Sequence, residues 1–271
     1  MGLFVIKLGG SLITDKAATT AARDATARRD VIARLARELA TARAVSPHSF
    51  LLSHGSGSFG HSAAARFGLR DGARDASQVR GVAVTQDQAH RLHRLVIEEL
   101  VSAGLVPYSL APSSFLVAEN GRPVEVMIEP LLRALALGLL PVVFGDVVTD
   151  RSRGASICST ETVLTALAPR LAAAACPVTT VLWMGSTAGV LDASGRTIEA
   201  ITAENIDTVL ALASGAAGTD VTGGMRHRVE TAWRLAGDGV PSLILDGLLA
   251  GALERALTGV AAGGTRVDAH P

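Results

Sequence analysis

Five apolar runs in this chain end on a glycine-bearing turn, and helical stretches separate them. They read KLGG (7–10), SHGSG (53–57), VVFGD (142–146), LWMGS (182–186) and ILDG (244–247). Strand-helix alternation of this kind predicts an α/β fold, a three-layer αβα sandwich with a mainly parallel central sheet and added β-hairpins. In open α/β sheets, ligands sit beyond the carboxyl ends of the strands. Glycine at those ends lets backbone N–H groups approach a ligand closely. The expectation is one site assembled along one edge of the sheet.

The stretches between the strands carry a helical period. RRDVIARLARELATARA places Val31, Leu35 and Leu39 together, and TQDQAHRLHRLVIEELVSAG places Leu92, Leu95, Val96 and Leu100 on one face before Gly104. Hairpins are expected at Asn120-Gly121 and Ser194-Gly195, and LLPVVFGDVV reads as a single strand. No internal repeat or low-complexity linker divides the 271 residues, so a single domain over 1–271 is expected.

Composition narrows the partners. Net charge is zero, which removes the electrostatic case for nucleic acid or an anionic membrane, and aromatics at 3% argue against base stacking. Two cysteines, Cys158 and Cys176, are too few for a disulfide framework, and a reducing cytoplasm is expected. Lys7, Gly9 and Gly10 interrupt any signal-peptide core, and Arg133, Pro141 and Asp146 break the longest apolar stretch, so no membrane span is expected.

Neither a P-loop GxxxxGK[ST] nor a GxGxxG after the first strand is present. Two other glycine cradles are. In KLGGS, Gly9, Gly10 and Ser11 can turn amides toward phosphate oxygens beside the Lys7 ammonium. In DVTGGM, Thr222, Gly223 and Gly224 lie just before a helix whose positive N-terminal end favours anions. A Gly-Gly before a helix is also an ordinary tight connection, so the pair of cradles on one sheet edge, not either alone, points to a polyphosphate. GSGSFGH (55–61) adds a third nest ending in His61, whose imidazole suits a second anion facing the first. His54 reads as packed in its strand end, and His90 and His93 as solvated or interhelical. Lys7 and Lys16 are the two lysines among 25 basic residues, which draws attention to both.

These motifs, IKLGGSLITDK, HGSGSFGH, the stretch 80–114, FGDVVTD, STE and DVTGGMRHRVE, resemble the amino acid kinase superfamily and, within it, the isopentenyl phosphate kinases, almost end to end. The resemblance implies transfer of the ATP γ-phosphoryl group to isopentenyl phosphate in a homodimer. It implies an acceptor side over about 1–145 and a nucleotide side over about 146–271. Catalytic roles fall on Lys7, Lys16, His61 and Asp146, and acceptor binding on Ser56, Gly57, His61 and Thr160. ATP binding falls on Lys7, Gly9, Gly10, Ser11, Gly57, Thr222, Gly223, Gly224 and Arg228. Mg2+ is implied as a cofactor held by the nucleotide phosphates, with no residue of the chain named as its ligand.

The resemblance departs at three places. Ser56 stands for a glycine of the nest, and Arg228 for a lysine. GSTAG (185–189) stands where relatives have TDVDG, so Ser186 replaces an acid that helps orient the active-site lysines. Three outcomes stay open: Asp146 suffices for that orientation, nucleotide binding is altered, or activity is reduced. A fosfomycin-type kinase of another small phosphate or phosphonate, and a nucleotide-binding sensor or storage protein, are the alternative functions.

Overall fold

The structure, a computed structural model, describes residues 2–15, 26–215 and 224–268. In chain order the strands are β1 (Leu3–Leu8), β2 (Ser49–His54), β3 (Pro107–Ser109), β4 (Leu116–Glu119), β5 (Arg122–Val126), β6 (Leu140–Phe144), β7 (Asp146–Asp150), β8 (Gly154–Cys158), β9 (Val178–Gly185), β10 (Ala200–Ile201), β11 (Ser242–Asp246) and β12 (Thr265–Val267). The helices are α1 (Gly10–Ile13), α2 (Arg29–Val45), α3 (Gly57–Arg66), α4 (Ala76–Ser102), α5 (Glu129–Ala136), α6 (Thr160–Ala173), α7 (Ile206–Gly215), α8 (Gly224–Gly237) and α9 (Ala252–Leu257).

The five glycine-ended runs are β11, β9, β1, β2 and β6, neighbours in that order and parallel throughout. Their glycine turns therefore share one edge. β3 extends this eight-stranded sheet beyond β6, and β12 and β10 extend it beyond β11. Successive strand side chains face opposite ways, and both faces are apolar. Val5, Leu51, Val143, Val181 and Ile244 join a core with α6 and α8, through residues such as Leu167 and Leu235. Ile6, Leu52, Val142, Leu182 and Leu245 join a second core with Leu35 of α2, Leu92 and Val96 of α4 and Leu253 of α9. That double burial makes the sheet the middle of three layers. Each fully buried Leu or Ile here stabilises the fold by about 1.5–3 kcal/mol.

The structure adds elements absent from the sequence expectation, among them α3 and β8, and differs from that expectation at two others. LLPVVFGDVV is two strands in two sheets, β6 in the large one and β7 in a four-stranded sheet ordered β5-β4-β7-β8. The break is Gly145. Its N–H donates to the His54 carbonyl at 3.0 Å, which ends the pairing of β6 with β2 and starts the chain toward the second sheet. The long helix α4 begins nine residues before Thr85, where Asp75 and Gln78 form a reciprocal capping box.

Asp150 closes the β7–β8 turn and ties it to the β4–β5 turn. Its Oδ1 accepts from the amides of Asn120, Ser152 and Arg153 at 3.2, 2.9 and 2.9 Å. Its Oδ2 accepts from the Gly121 amide at 2.7 Å and from Ser156 Oγ at 2.6 Å. Burial alone would raise its pKa. The Ser156 and amide hydrogen bonds outweigh that and hold the carboxyl well below the usual carboxylate range. Asp150→Ala strands these donors, and a loss of about 2–4 kcal/mol is expected. Thermal melts followed by circular dichroism should show the midpoint falling by roughly 5–10 °C; an unchanged midpoint would remove Asp150 as the knot between the two turns.

Candidate functional site

The turns after β1 and β2 meet backbone to backbone. A Cβ on Gly10 would lie 2.7 Å from the Gly57 Cα, and one on Gly55 would lie 2.9 Å from the Gly10 nitrogen. Gly57 also holds φ +51°, where a side chain is strained, and a Cβ there would strike Thr14 Oγ1 at 2.4 Å. Thr14 stitches the two turns: its Oγ1 donates to the Gly10 carbonyl at 2.7 Å and accepts from the Ser58 amide at 3.2 Å. Ser56, the extra side chain in the nest, folds over Gly60, where a Cβ would lie 2.6 Å from the Ser56 Cβ. The missing side chain at 60 makes room for the added one at 56.

Beyond these turns opens a cavity of about 520 Å³. Residues from the first turns of α1, α3, α6 and α8 line it, among them Gly10, Ser11, Gly57, Ser58, Thr160 and Gly224. Helix N-termini carry amides without intrahelical acceptors and a partial positive charge. Four of them on one cavity make an anion site.

Of the expected site residues, Lys7, Gly10, Ser11, Ser56, Gly57, His61, Asp146, Thr160, Gly224 and Arg228 line this cavity. Gly9 sits behind the turn, its amide donating to the Met184 carbonyl at 2.8 Å. Lys16, Thr222 and Gly223 lie outside the described residues. Thr160 Oγ1 is committed to the His54 carbonyl at 2.7 Å, so its hydroxyl proton braces the nest from below. Asp146 is buried, with Oδ2 accepting from the Ser113 amide at 3.1 Å and Oδ1 from the Val147 amide at 2.8 Å. Cys158, paired with Asp146 in the β7–β8 ladder, stays a thiol: burial and then the Asp146 charge push its pKa up to about 12.

The sequence reading passes over two residues of this wall. One is Glu161. Its Oε1 stands 2.7 Å from Lys7 Nζ, the two side chains being 12% and 5% exposed. Burial would raise the Glu161 pKa, but the Lys7 charge and hydrogen bond, with a contribution from Arg228, bring it down to about 2. Glu161 thus supplies a carboxylate at Lys7 although GSTAG carries none. The STE stretch held the only signal, and nothing local tells an acid in a helix's first turn from one facing a strand far away in sequence. The other is His227, exposed on α8, with Nε2 3.5 Å from Ser159 Oγ. Arg228 beside it is buried. Its Nη1 lies 2.6 Å from where a Cβ on Gly185 would be, and its Nη2 3.4 Å from one on Gly9. The first glycine of GSTAG is what lets the larger guanidinium in.

Among the described residues no group of three or more His, Cys, Asp or Glu could hold a metal ion. No helix there is long and apolar enough to cross a membrane. The cavity brings together two cations, Lys7 and Arg228, two carboxylates, Asp146 and Glu161, two histidines and the amides of the helix starts.

Residues 2–246 match the sequence profile of the amino acid kinase family. The isopentenyl phosphate kinase of Methanothermobacter thermautotrophicus is 32% identical over 98% of both chains. That of Haloferax volcanii is 34% identical over 85% of this chain and 87% of its own. A crystal structure of an isopentenyl phosphate kinase superposes with a TM-score of 0.80 at 28% identity, over 98% of this chain and 99% of the other.

Replacing Glu161 removes the carboxylate 2.7 Å from the buried Lys7 ammonium, and Glu161→Ala should cost about 2–4 kcal/mol of stability. A carboxyl whose folded pKa is depressed stabilises above its unfolded value, about 4.3, and that contribution is lost as pH falls through the folded value of about 2. Urea titrations should therefore give the same wild-type-to-variant gap at about pH 7 and pH 5, and a smaller one near pH 3. A gap that grows on acidification would contradict the pairing.

Proposed function

The chain belongs to the amino acid kinase family, among its isopentenyl phosphate kinases, and from that premise we propose that it transfers the γ-phosphoryl group of ATP to isopentenyl phosphate, giving isopentenyl diphosphate and ADP. The observation that carries this reading is the convergence of Lys7, His61 and four helix N-termini on one cavity. Its volume of about 520 Å³ falls within the usual range for small-molecule sites. A phosphate oxygen of the acceptor attacks the γ-phosphorus in line. The new O–P bond forms as the bond to the β,γ-bridging oxygen breaks, and ADP leaves with that electron pair. Such a transfer needs charge and positioning rather than covalent help.

In this mechanism Lys7, paired with Glu161, places its ammonium against the phosphoryl group in transit. The Gly10 and Ser11 amides bind oxygens of the nucleotide. His61, on the second turn of α3, together with the nest at Ser56 and Gly57, binds the acceptor phosphate. Arg228, buried under the turn, adds positive charge from behind. Mg2+, when bound, would be held by the nucleotide phosphates, with no residue of the chain assigned as its ligand, and would offset their charge. The division into an acceptor side over about 1–145 and a nucleotide side over about 146–271, a homodimeric assembly and a cytoplasmic location belong to the same proposal.

The test is a coupled-enzyme acceptor screen with isopentenyl, dimethylallyl and geranyl phosphates beside fosfomycin. Isopentenyl phosphate should turn over best. Turnover of fosfomycin alone would move the substrate assignment, and ATP binding with no transfer to any acceptor would favour the sensor reading. Lys7→Ala and His61→Ala should each lower kcat/KM by about 100-fold or more. A near-wild-type rate from either variant would take that residue out of the mechanism.

A further inference from the structure

Beneath the nest runs a chain of hydrogen bonds, buried at its two histidines and open to solvent at Ser109, that the proposed transfer does not use. His54 is fully buried at the end of β2, and His93 is buried on α4. His54 Nδ1 lies 3.1 Å from the Gly55 carbonyl oxygen, His54 Nε2 lies 3.0 Å from His93 Nδ1, and His93 Nε2 lies 2.5 Å from Ser109 Oγ on the edge strand β3. Phe144 clamps both rings by stacking, with centroids 5.6 Å from His54 and 4.2 Å from His93.

The two contacts of the His54 ring together set the direction of the chain. A carbonyl oxygen only accepts, so His54 Nδ1 carries a proton. A neutral His54 then presents Nε2 as an acceptor, which requires a proton on His93 Nδ1. His93 Nε2 is left to accept from the Ser109 hydroxyl. Both rings are neutral near pH 7 on physical grounds. Burial lowers His54 to about 4, the Gly55 bond opposing and the Lys7 charge reinforcing it. Burial, then His54 and His90, lower His93 to about 2.

The far end of this chain reaches the site. The peptide joining Gly55 to Ser56 is trans, so its carbonyl and its N–H point opposite ways. With the Gly55 carbonyl turned to His54, the Ser56 N–H faces away from the histidine. It has no acceptor among the described residues, and Ser56 lines the cavity. The main chain of His54 is braced as well, its carbonyl accepting from Thr160 Oγ1 at 2.7 Å and from the Gly145 amide at 3.0 Å.

We propose that His93 is a positioning residue that, through its hydrogen bond to His54, locks the Nδ1–H tautomer there and so aims the Ser56 amide at the phosphate of the acceptor. The kinetic part rests on the kinase reading, whereas the tautomer and phosphate contacts do not. The two inner links share one sense: an Nε2–H tautomer of His54 would set its Nδ1 lone pair against the Gly55 carbonyl, and a His93 without a proton on Nδ1 would set its lone pair against that of His54 Nε2.

The experiment uses the full chain labelled with ¹⁵N-histidine and with ¹⁵N backbone amides. Long-range ¹H–¹⁵N spectra should show His54 as a single Nδ1–H tautomer. Inorganic phosphate should shift the Ser56 amide proton downfield. His93→Phe keeps an aromatic ring against Phe144 but removes the donor. It should give a mixture of His54 tautomers, weaken phosphate binding about tenfold, and raise the acceptor KM by about the same factor while the ATP KM stays within about twofold. His93→Gln, whose amide can donate to His54 Nε2, should restore most of each. An Nε2–H tautomer of His54 in the wild type would overturn the inference. So would a His93→Phe variant that leaves tautomer and phosphate affinity unmoved, or one that raises both KM values together. Absence of turnover with isopentenyl phosphate would overturn the kinase reading alone, and the tautomer and phosphate titration would still decide the relay.

Discussion

Two adjacent parallel strands place the turns that follow them within a strand spacing, about 4.8 Å, of one another. At β1 and β2 those turns both bend the same way and both start helices, and their backbones come into contact. Gly10 meets Gly55 and Gly57 with no space for a Cβ on any of the three. That contact sets the distance between the N-termini of α1 and α3, and with it the spacing of the two groups of amides. Thr14 holds the contact shut by a pair of hydrogen bonds. Every feature of the cavity floor depends on this approach, and a single methyl group would separate the turns.

The walls depend on a different balance. An ammonium and a carboxylate taken from water each carry a desolvation cost of several kcal/mol, and their attraction repays it only with close geometry. Lys7 and Glu161, at 2.7 Å, have that geometry. Glu161 also stands in the first turn of α6, where the helix end favours negative charge. The carboxylate is thus stabilised from its own helix as well as by Lys7, and the pair fixes the ammonium at the cavity wall. Arg228 contributes charge from a buried position, its guanidinium packed against the bare backbone of Gly185.

Much of this was legible in the residues. Short apolar runs closed by glycine and separated by helical stretches mark strand ends, and all five fell on one sheet edge. The cavity-lining residues of KLGGS and GSGSFGH were visible for the same reason. Gly145 reads both as the close of VVFGD and as interior to the strand LLPVVFGDVV, because apolar residues resume directly after Asp146 and the two sheets are both buried there. The early start of α4 was written in Asp75 and Gln78, a local signal weaker than the apolar period that begins later. Glu161 and the His54–His93 pair are different in kind. Their partners are brought by the tertiary fold, and a residue type at the start of a helix or the end of a strand says nothing about what will face it.

Ser56 and Gly60 occupy one volume between them. The hydroxymethyl group of Ser56 stands where a side chain at 60 would go, so the two positions cannot be enlarged independently. A glycine at 56 frees position 60 to carry a small side chain, and a side chain at 56 forbids it. The freedom to vary this nest therefore belongs to the pair: a residue gained at one position is a residue denied at the other, one helical turn along α3.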